Sequence, residues 1–335
     1  MSEYAEELRG LVSDVVGGTP VEARSSDEVW RKLAELGLPL VGVDEAAGGS
    51  GGSYDDLVTV VRALGEHATG LPVGESALAS WALAHDRAAG ERVTLAFGMD
   101  AVYEDDLSVV RIPCVPWLRQ ASAVVVYGRS GGATYVDLDA PGVEVHEGVN
   151  LAGEPRDDLV LRGAAMPNLP GAPDLAEARA RFGLLRSVAV AGAAVGAYTL
   201  TRGYVMQREQ FGKPLARIPA VATALATMRV ATVRLDAALE RAVANLARSG
   251  GTSQRFLAAA AAAGVTAAAT AATCARTAHQ LHGAMGVTAE YPLHHYTKRL
   301  WSWPEEAGAE ADCARYLGQL ALAGGEAAVW DELTC

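Results

Sequence analysis

Three long stretches in the C-terminal half, Leu175–Arg208, Ile218–Arg248 and Ser253–Leu281, are rich in alanine and carry no proline past Pro219. Alanine is the best helix former, and about 30 residues at 1.5 Å rise give helices roughly 45 Å long. Helices this long and apolar must bury one another's flanks. With shorter helical patterns near Pro292–Leu300 and Glu310–Val329, the expectation is a four-helix bundle. Phe256–Cys274 carries no charge and has the length of a membrane span, but Ala, Thr and Gly give little transfer free energy. It reads as a tightly packed buried helix, with no membrane partner. Gly192-x-x-x-Gly196 sits mid-helix and follows no strand, so it reads as a close-packing device and not a dinucleotide fingerprint.

The N-terminal part is also helical. Ser25–Asp27 can cap a helix through Trp30 and Leu33 that stops at Gly37, and Ser53 with Asp55–Asp56 opens a second run through Leu64. Between them Val41–Gly52 is a glycine-rich loop, and a third helix follows Pro72 over Ala77–Ala84. From Val93 to Met166 the texture changes to short β-branched runs broken by turns such as Gly131–Gly132 and Ala140–Gly142, which predicts a small antiparallel sheet domain. A Pro-rich linker, Met166–Pro173, leads into the bundle. The expected organisation is a helical domain over 1–92, a small β domain over 93–166 and a helical bundle over 167–335, mainly α overall, with no internal repeat.

The formal net charge of −12 leaves little for a nucleic-acid backbone to bind. The cysteines, Cys114, Cys274, Cys313 and Cys335, are scattered, which is neither a disulfide framework nor a zinc site. That usage and the acidic, polar start predict a cytoplasmic protein. His279, His282, His294 and His295 lack acidic or cysteine companions at ligand spacing, so no metal is expected.

Specific segments resemble the acyl-CoA dehydrogenase family. Tyr204–Pro214 (YVMQREQFGKP) is similar to its Y-x-x-x-R-x-x-F-G segment. Gln280–Gly286 (QLHGAMG) with Glu290–Pro292 (EYP) is similar to its Q-x-x-G-G-x-G…E-x-P segment, and Trp30–Gly37 with Gly48–Gly49 to its first-domain pattern. The order of domains agrees too. The resemblance implies FAD as cofactor, an acyl-CoA thioester as substrate and an electron-accepting flavoprotein as partner. It also implies FAD contacts at Arg208, Phe211, Gln280, Gly283 and Gly286, reaching across a subunit interface to a flavin bound mainly by a neighbour. Taken alone, Arg208 can present a planar fork to a pyrophosphate, Phe211 can lie against an adenine, and the glycines let a ligand approach the backbone.

Two departures qualify the resemblance. Family members remove the substrate α-proton with a carboxylate whose place is geometrically demanding. Of the two positions used, one falls here at Ala307–Gly308 and the other at Phe182, flanked by Arg181 and Gly183; neither is acidic. Glu177 is more than a turn away from Phe182, about 5.4 Å or more along the helix. Glu305, or Glu306, is the fallback base, against which stands a solvated acidic turn. The β domain also lacks the Thr/Ser-rich and W/Y-I-T-N-G-like segments that hold the isoalloxazine in self-sufficient members. The resulting expectation is the non-catalytic subunit of a heteromeric α2β2 enzyme of the kind that acts on steroid-type CoA thioesters, completing a second, dehydrogenase-like chain's flavin site. The alternatives are a self-sufficient homo-oligomer using Glu305 or Glu306, and a flavin-free helical scaffold.

Overall fold

A computed structural model of the chain describes residues 4–83, 92–98, 101–104, 109–306 and 310–334. Four helices come first: α1 (Ala5–Val16), α2 (Asp27–Glu35), α3 (Tyr54–Glu66) and α4 (Val73–Leu83). The Ser26 side chain accepts from Val29 N–H at the start of α2, and Gly37 follows its end at φ +72°. Ser53 and Asp56 form a reciprocal capping box on α3.

The middle segment holds β1 (Val93–Phe97), β2 (Val102–Glu104), β3 (Val109–Pro116), β4 (Ala123–Tyr127), β5 (Ala133–Asp137), β6 (Val143–His146) and β7 (Arg156–Arg162). They make two sheets, ordered β1-β4-β5 and β2-β3-β7-β6. The expected antiparallel domain needs one correction: β1 and β4 pair in parallel, Val93 opposite Ala123 to Phe97 opposite Tyr127. The reason is topological, since β2 and β3 cross to the second sheet before the chain returns beside β1 in its original direction. Alternation explains why β1 and β4 are nearly all apolar. Val93, Leu95, Val125 and Tyr127 face the helical core, while Ala96, Val124 and Val126 face Ile112, Leu159 and Leu161 of the second sheet. The first sheet is thus buried on both sides.

The bundle comprises α5 (Leu175–Gln207), α6 (Pro219–Ser249), α7 (Gln254–His282), α8 (Leu293–Ser302) and α9 (Glu310–Thr334), with a two-stranded hairpin, β8 (Glu209–Gln210) and β9 (Lys213–Pro214), between α5 and α6. α7 packs against α5, α6, α8 and α9, and its alanine-rich stretch supplies the buried Ala258–Ala261, Ala263, Ala267 and Ala271. α5 and α7 are each long and apolar enough to cross a membrane by composition, and much of each is packed inside the protein. A Cβ on Gly192 would collide with the Arg62 carbonyl and sit 2.8 Å from Glu66 N on α3. On Gly196 it would run into Tyr296. The two glycines let α3 approach α5 at backbone distance, and Gly196 leaves room for the Tyr296 ring of α8.

Candidate functional site

Two regions collect the chemistry-bearing residues. The first is one end of the bundle, where α5 and α7 finish side by side: the Tyr204 ring stacks on His282 at 4.4 Å, and His282 Nε2 lies 3.1 Å from the Tyr291 hydroxyl. His282 is buried, and burial lowers its pKa. Gly286 folds over it so closely that a Cβ there would come within 2.9 Å of the His282 Cβ. Beside this anchor, Arg208 leaves helical geometry at ψ 121° as the C-cap of α5. Its guanidinium has no hydrogen bond or ion pair among the described residues, and the same holds for the exposed Gln280 amide. Phe211, at the tip of the β8–β9 hairpin, is 85% exposed and holds a left-handed φ of +52°. An aromatic residue in that region is strained, and exposing its ring forgoes burial as well. Gly283 ends α7, also at positive φ. Four of the five sequence-derived positions, Arg208, Phe211, Gln280 and Gly283, therefore face solvent at one end of the molecule, and Gly286 shapes the turn beneath them.

The second region is the junction of the N-terminal helices, the sheets and the bundle. A cleft of about 770 Å³ runs between the ends of β1 and β3, the loop after β6, and α5. Phe182 is buried in its wall with its ring edge-on to Phe97 at 5.6 Å. Glu305 lies exposed on the cleft rim and makes no hydrogen bond or ion pair among the described residues. Ala307–Gly308, the other base position, lies outside the described residues. Glu177 is paired with Arg181 at 2.7 Å and does not line the cleft.

Behind the cleft lies a crevice with apolar walls of Val61, Leu64, Leu71, Phe182, Leu185 and Trp303, in which about 30 Å³ remains open. Glu75, Glu154 and Arg186 also line it, and they belong to an alternating chain of charges. Glu75 of α4 pairs with Arg186 of α5, and Arg186 Nε lies 3.1 Å from Glu306. Arg156 of β7 donates from Nε and Nη2 to the two Glu306 oxygens at 2.9 and 2.7 Å. Arg156 also meets Glu154 at 3.3 Å, and Arg299 of α8 donates to Glu154 at 2.9 Å. Asn150 Nδ2 donates to both Glu154 and Glu306, and Trp303 Nε1 donates to Glu154 at 2.9 Å. Burial alone would push the Glu154 carboxyl up; Arg299 and Arg156 outweigh it and bring it down to about 2. The Arg156 guanidinium, opposed by burial, is held charged by Glu306 and Glu154. A Cβ on Gly70 would strike the Glu154 carboxylate, so the glycine makes room for the cluster.

Sequence reasoning missed this cluster apart from Glu306. Its signal was present in single charges inside apolar helical runs, Glu75 in VGESALAS and Arg186 in FGLLRSVAV. A lone ion on a core-facing position needs a partner brought from elsewhere.

Models of two acyl-CoA dehydrogenase domains match this chain, the N-terminal domain over residues 4–89 and the C-terminal domain over 178–310. The chain belongs to the acyl-CoA dehydrogenase family. It is 27% identical over 340 residues to acyl-CoA dehydrogenase FadE27 of Mycobacterium tuberculosis, covering 88% of this chain and 91% of the relative. Its fold matches a chain of the ChsE4–ChsE5 complex of M. tuberculosis with a TM-score of 0.84 at 24% identity, covering 97% of this chain and 98% of that one. It also matches a variant of the Tcur3481–Tcur3483 steroid ACAD with a TM-score of 0.83 at 24% identity, covering 96% and 98%. Members of the family bind FAD.

The residues of this chain fit one part of that cofactor. An unpaired guanidinium, an exposed aromatic ring and a free amide suit a pyrophosphate and an adenine. The cleft fits a flavin ring poorly. Pro113 and Pro116 bring no N–H to it, and the Cys114 N–H is given to Asp158 at 3.1 Å. Glu147, Asp158, Glu305, Glu306 and Asp312 outnumber Arg156 and Arg179 in its lining.

Proposed function

We propose that this acyl-CoA dehydrogenase chain is the non-catalytic subunit of a heteromeric enzyme, completing the FAD site of a partner chain that carries the base. The observation that carries this reading is the split between its two regions: among the described residues, nucleotide-type donors stand unpaired on the surface, while the cleft offers few donors to a flavin ring and the crevice behind it is flanked by paired charges. Arg208 and Gln280 hold the pyrophosphate of the partner's flavin, and Phe211 covers its adenine. FAD, when bound, would supply the acceptor for the β-hydride of the acyl-CoA. The α-proton leaves to a carboxylate of the partner, because Phe182 is apolar and both oxygens of Glu306 are engaged by Arg156. The likeness to a chain of the ChsE4–ChsE5 complex and to a steroid ACAD supports an α2β2 assembly and a bulky, steroid-type CoA thioester. An electron-transfer flavoprotein would reoxidise the complex, and the cytoplasm is its expected place.

The test is expression with and without the partner. The chain alone is expected to be colourless, and the co-purified complex yellow, with one FAD per pair of chains and dehydrogenase turnover. Stoichiometric flavin and turnover from the isolated chain would overturn the reading. The exposed, unpaired Glu305 on the cleft rim favours one second reading, self-sufficient catalysis. Glu305→Gln separates the two: full turnover of the complex is expected, whereas a drop of a hundredfold or more, the scale of a lost general base, supports the second reading.

A further inference from the structure

We infer that a groove between α5, α7 and α9 binds a small apolar carboxylate, with its ring or short chain in the groove and its charge on Arg179. The inference goes beyond the heteromeric reading and does not depend on it. α9 packs along α7 but stands off α5, which leaves about 210 Å³ open between them. Ala260, Ala261 and Gly264 of α7 form the floor, with Ala180 and Gly183 of α5 and Tyr316 of α9 as walls. These small residues leave the space unfilled. An apolar cavity of about 150 Å³ holds a benzene ring. The groove therefore takes a phenyl ring with a short linker, or an alkyl chain of similar bulk. Burial, and after it Asp312, pushes the pKa of the Cys313 thiol up, so it meets the groove as a neutral group. The groove lies on a different face of α5 from the crevice lined by Phe182 and Arg186.

The charges at its edge decide what kind of ligand fits. Among the described residues, the charged lining is Arg179 and Asp312, which also line the open cleft and so stand where groove and cleft meet. Arg315 donates to one Asp312 oxygen at 2.6 Å and Arg179 to the other at 3.4 Å. Arg179 has no other hydrogen bond or ion pair among the described residues. Two guanidinia thus share one carboxylate, and the more loosely held one has donors to spare. A planar carboxylate takes two of them in parallel, while Arg315 keeps Asp312 neutralised. A dianionic phosphate would bring a second charge against Asp312 with no cation to meet it. Of the other carboxylates lining the cleft, Glu147, Asp158 and Glu306 each have an arginine of their own, and Glu305 is exposed to screening by salt.

The test is calorimetric titration of the full chain with phenylpropanoate and with its amide, which keeps the shape and lacks the charge. Saturable binding of the acid is expected, with the amide about tenfold weaker or more, the scale of one charge-assisted contact. Arg179→Gln is expected to weaken the acid by the same factor and to leave the amide unchanged. Ala180→Phe fills the groove and is expected to abolish binding of both. No saturable binding of the acid, equal affinity for acid and amide, or wild-type affinity in Arg179→Gln overturns the inference, as does a folded Ala180→Phe chain that still binds. If Ala180→Phe does not fold, Arg179→Gln decides: that side chain is partly exposed, and its loss leaves Asp312 paired with Arg315. None of these readings involves flavin, so their outcome is separate from that of the heteromeric proposal.

Discussion

Glu154→Gln isolates one link of the charge chain. Glu154 is 3% exposed, and its carboxyl is brought from the usual 4.5 to about 2. At about 1.4 kcal/mol per pH unit, that difference corresponds to roughly 3 kcal/mol of folding stability at pH 7. The substitution keeps the shape and a hydrogen-bond acceptor but deprives Arg299 of its carboxylate, while Arg156 retains Glu306. The expected loss at pH 7 is about 3 kcal/mol, in the range for breaking a buried pair. A carboxyl with a depressed folded-state pKa stabilises above its unfolded value and loses that contribution as pH falls toward its folded value. The gap between wild type and variant is therefore constant from pH 8 to about 5, shrinks below 4.5, and is less than half its full size by pH 3. Urea denaturation of both proteins at several pH values measures it. A gap below about 1 kcal/mol at pH 7, or one that does not shrink by pH 3, would refute the assignment of Glu154 as a buried charge held by two arginines.

Arg208→Ala is expected to weaken FAD retention by the co-purified complex roughly tenfold or more, the scale of one charge-assisted contact, as read by flavin release on dilution. Because the side chain is exposed and unpaired, the melting temperature of the isolated chain should barely move. Gly192→Val drives a side chain into the α3 backbone and should cost about 3 kcal/mol or more, while Gly203→Ala, with nothing within 4 Å of the added Cβ, should be neutral or stabilise by up to about 1 kcal/mol. Urea unfolding compares the two; equal effects would contradict the α3–α5 approach.

What the sequence made legible is what local chemistry determines. The boundaries of α5, α6 and α7 fall within one residue of the stretches read from alanine content and proline placement. Of the capping groups read at Ser25–Asp27, Ser26 caps α2 by accepting from Val29 N–H, and Ser53 caps α3 by accepting from Asp56 N–H. Arg208, Phe211 and Gln280 were found because each belongs to a short segment whose order is kept in one dimension. Their meeting at one end of the bundle follows from α5 and α7 running the same way, which the alternation of three antiparallel neighbours implies. The parallel β1–β4 pair was illegible for the opposite reason: nothing in VTLAFG or SAVVVYG distinguishes a neighbour in sequence from a neighbour in the sheet.

The charge chain shows where one-dimensional reading stops. Glu75 and Arg186 are 111 positions apart, and Arg156 and Glu306 are 150 apart. Each alone looks like a surface residue or a lapse in an apolar run. Only the fold reveals that each satisfies another, and that Glu306, chemically able to act as a base, has both oxygens engaged by Arg156. Glu305, its neighbour, is exposed on the rim and has no hydrogen bond or ion pair among the described residues. Two adjacent, identical side chains thus have opposite prospects, decided by which one faces the arginines of β7 and α5. For a chain of this family, the presence of a carboxylate near the expected position is therefore weak support for catalysis; what counts is whether its lone pairs are open to a carbon-bound proton.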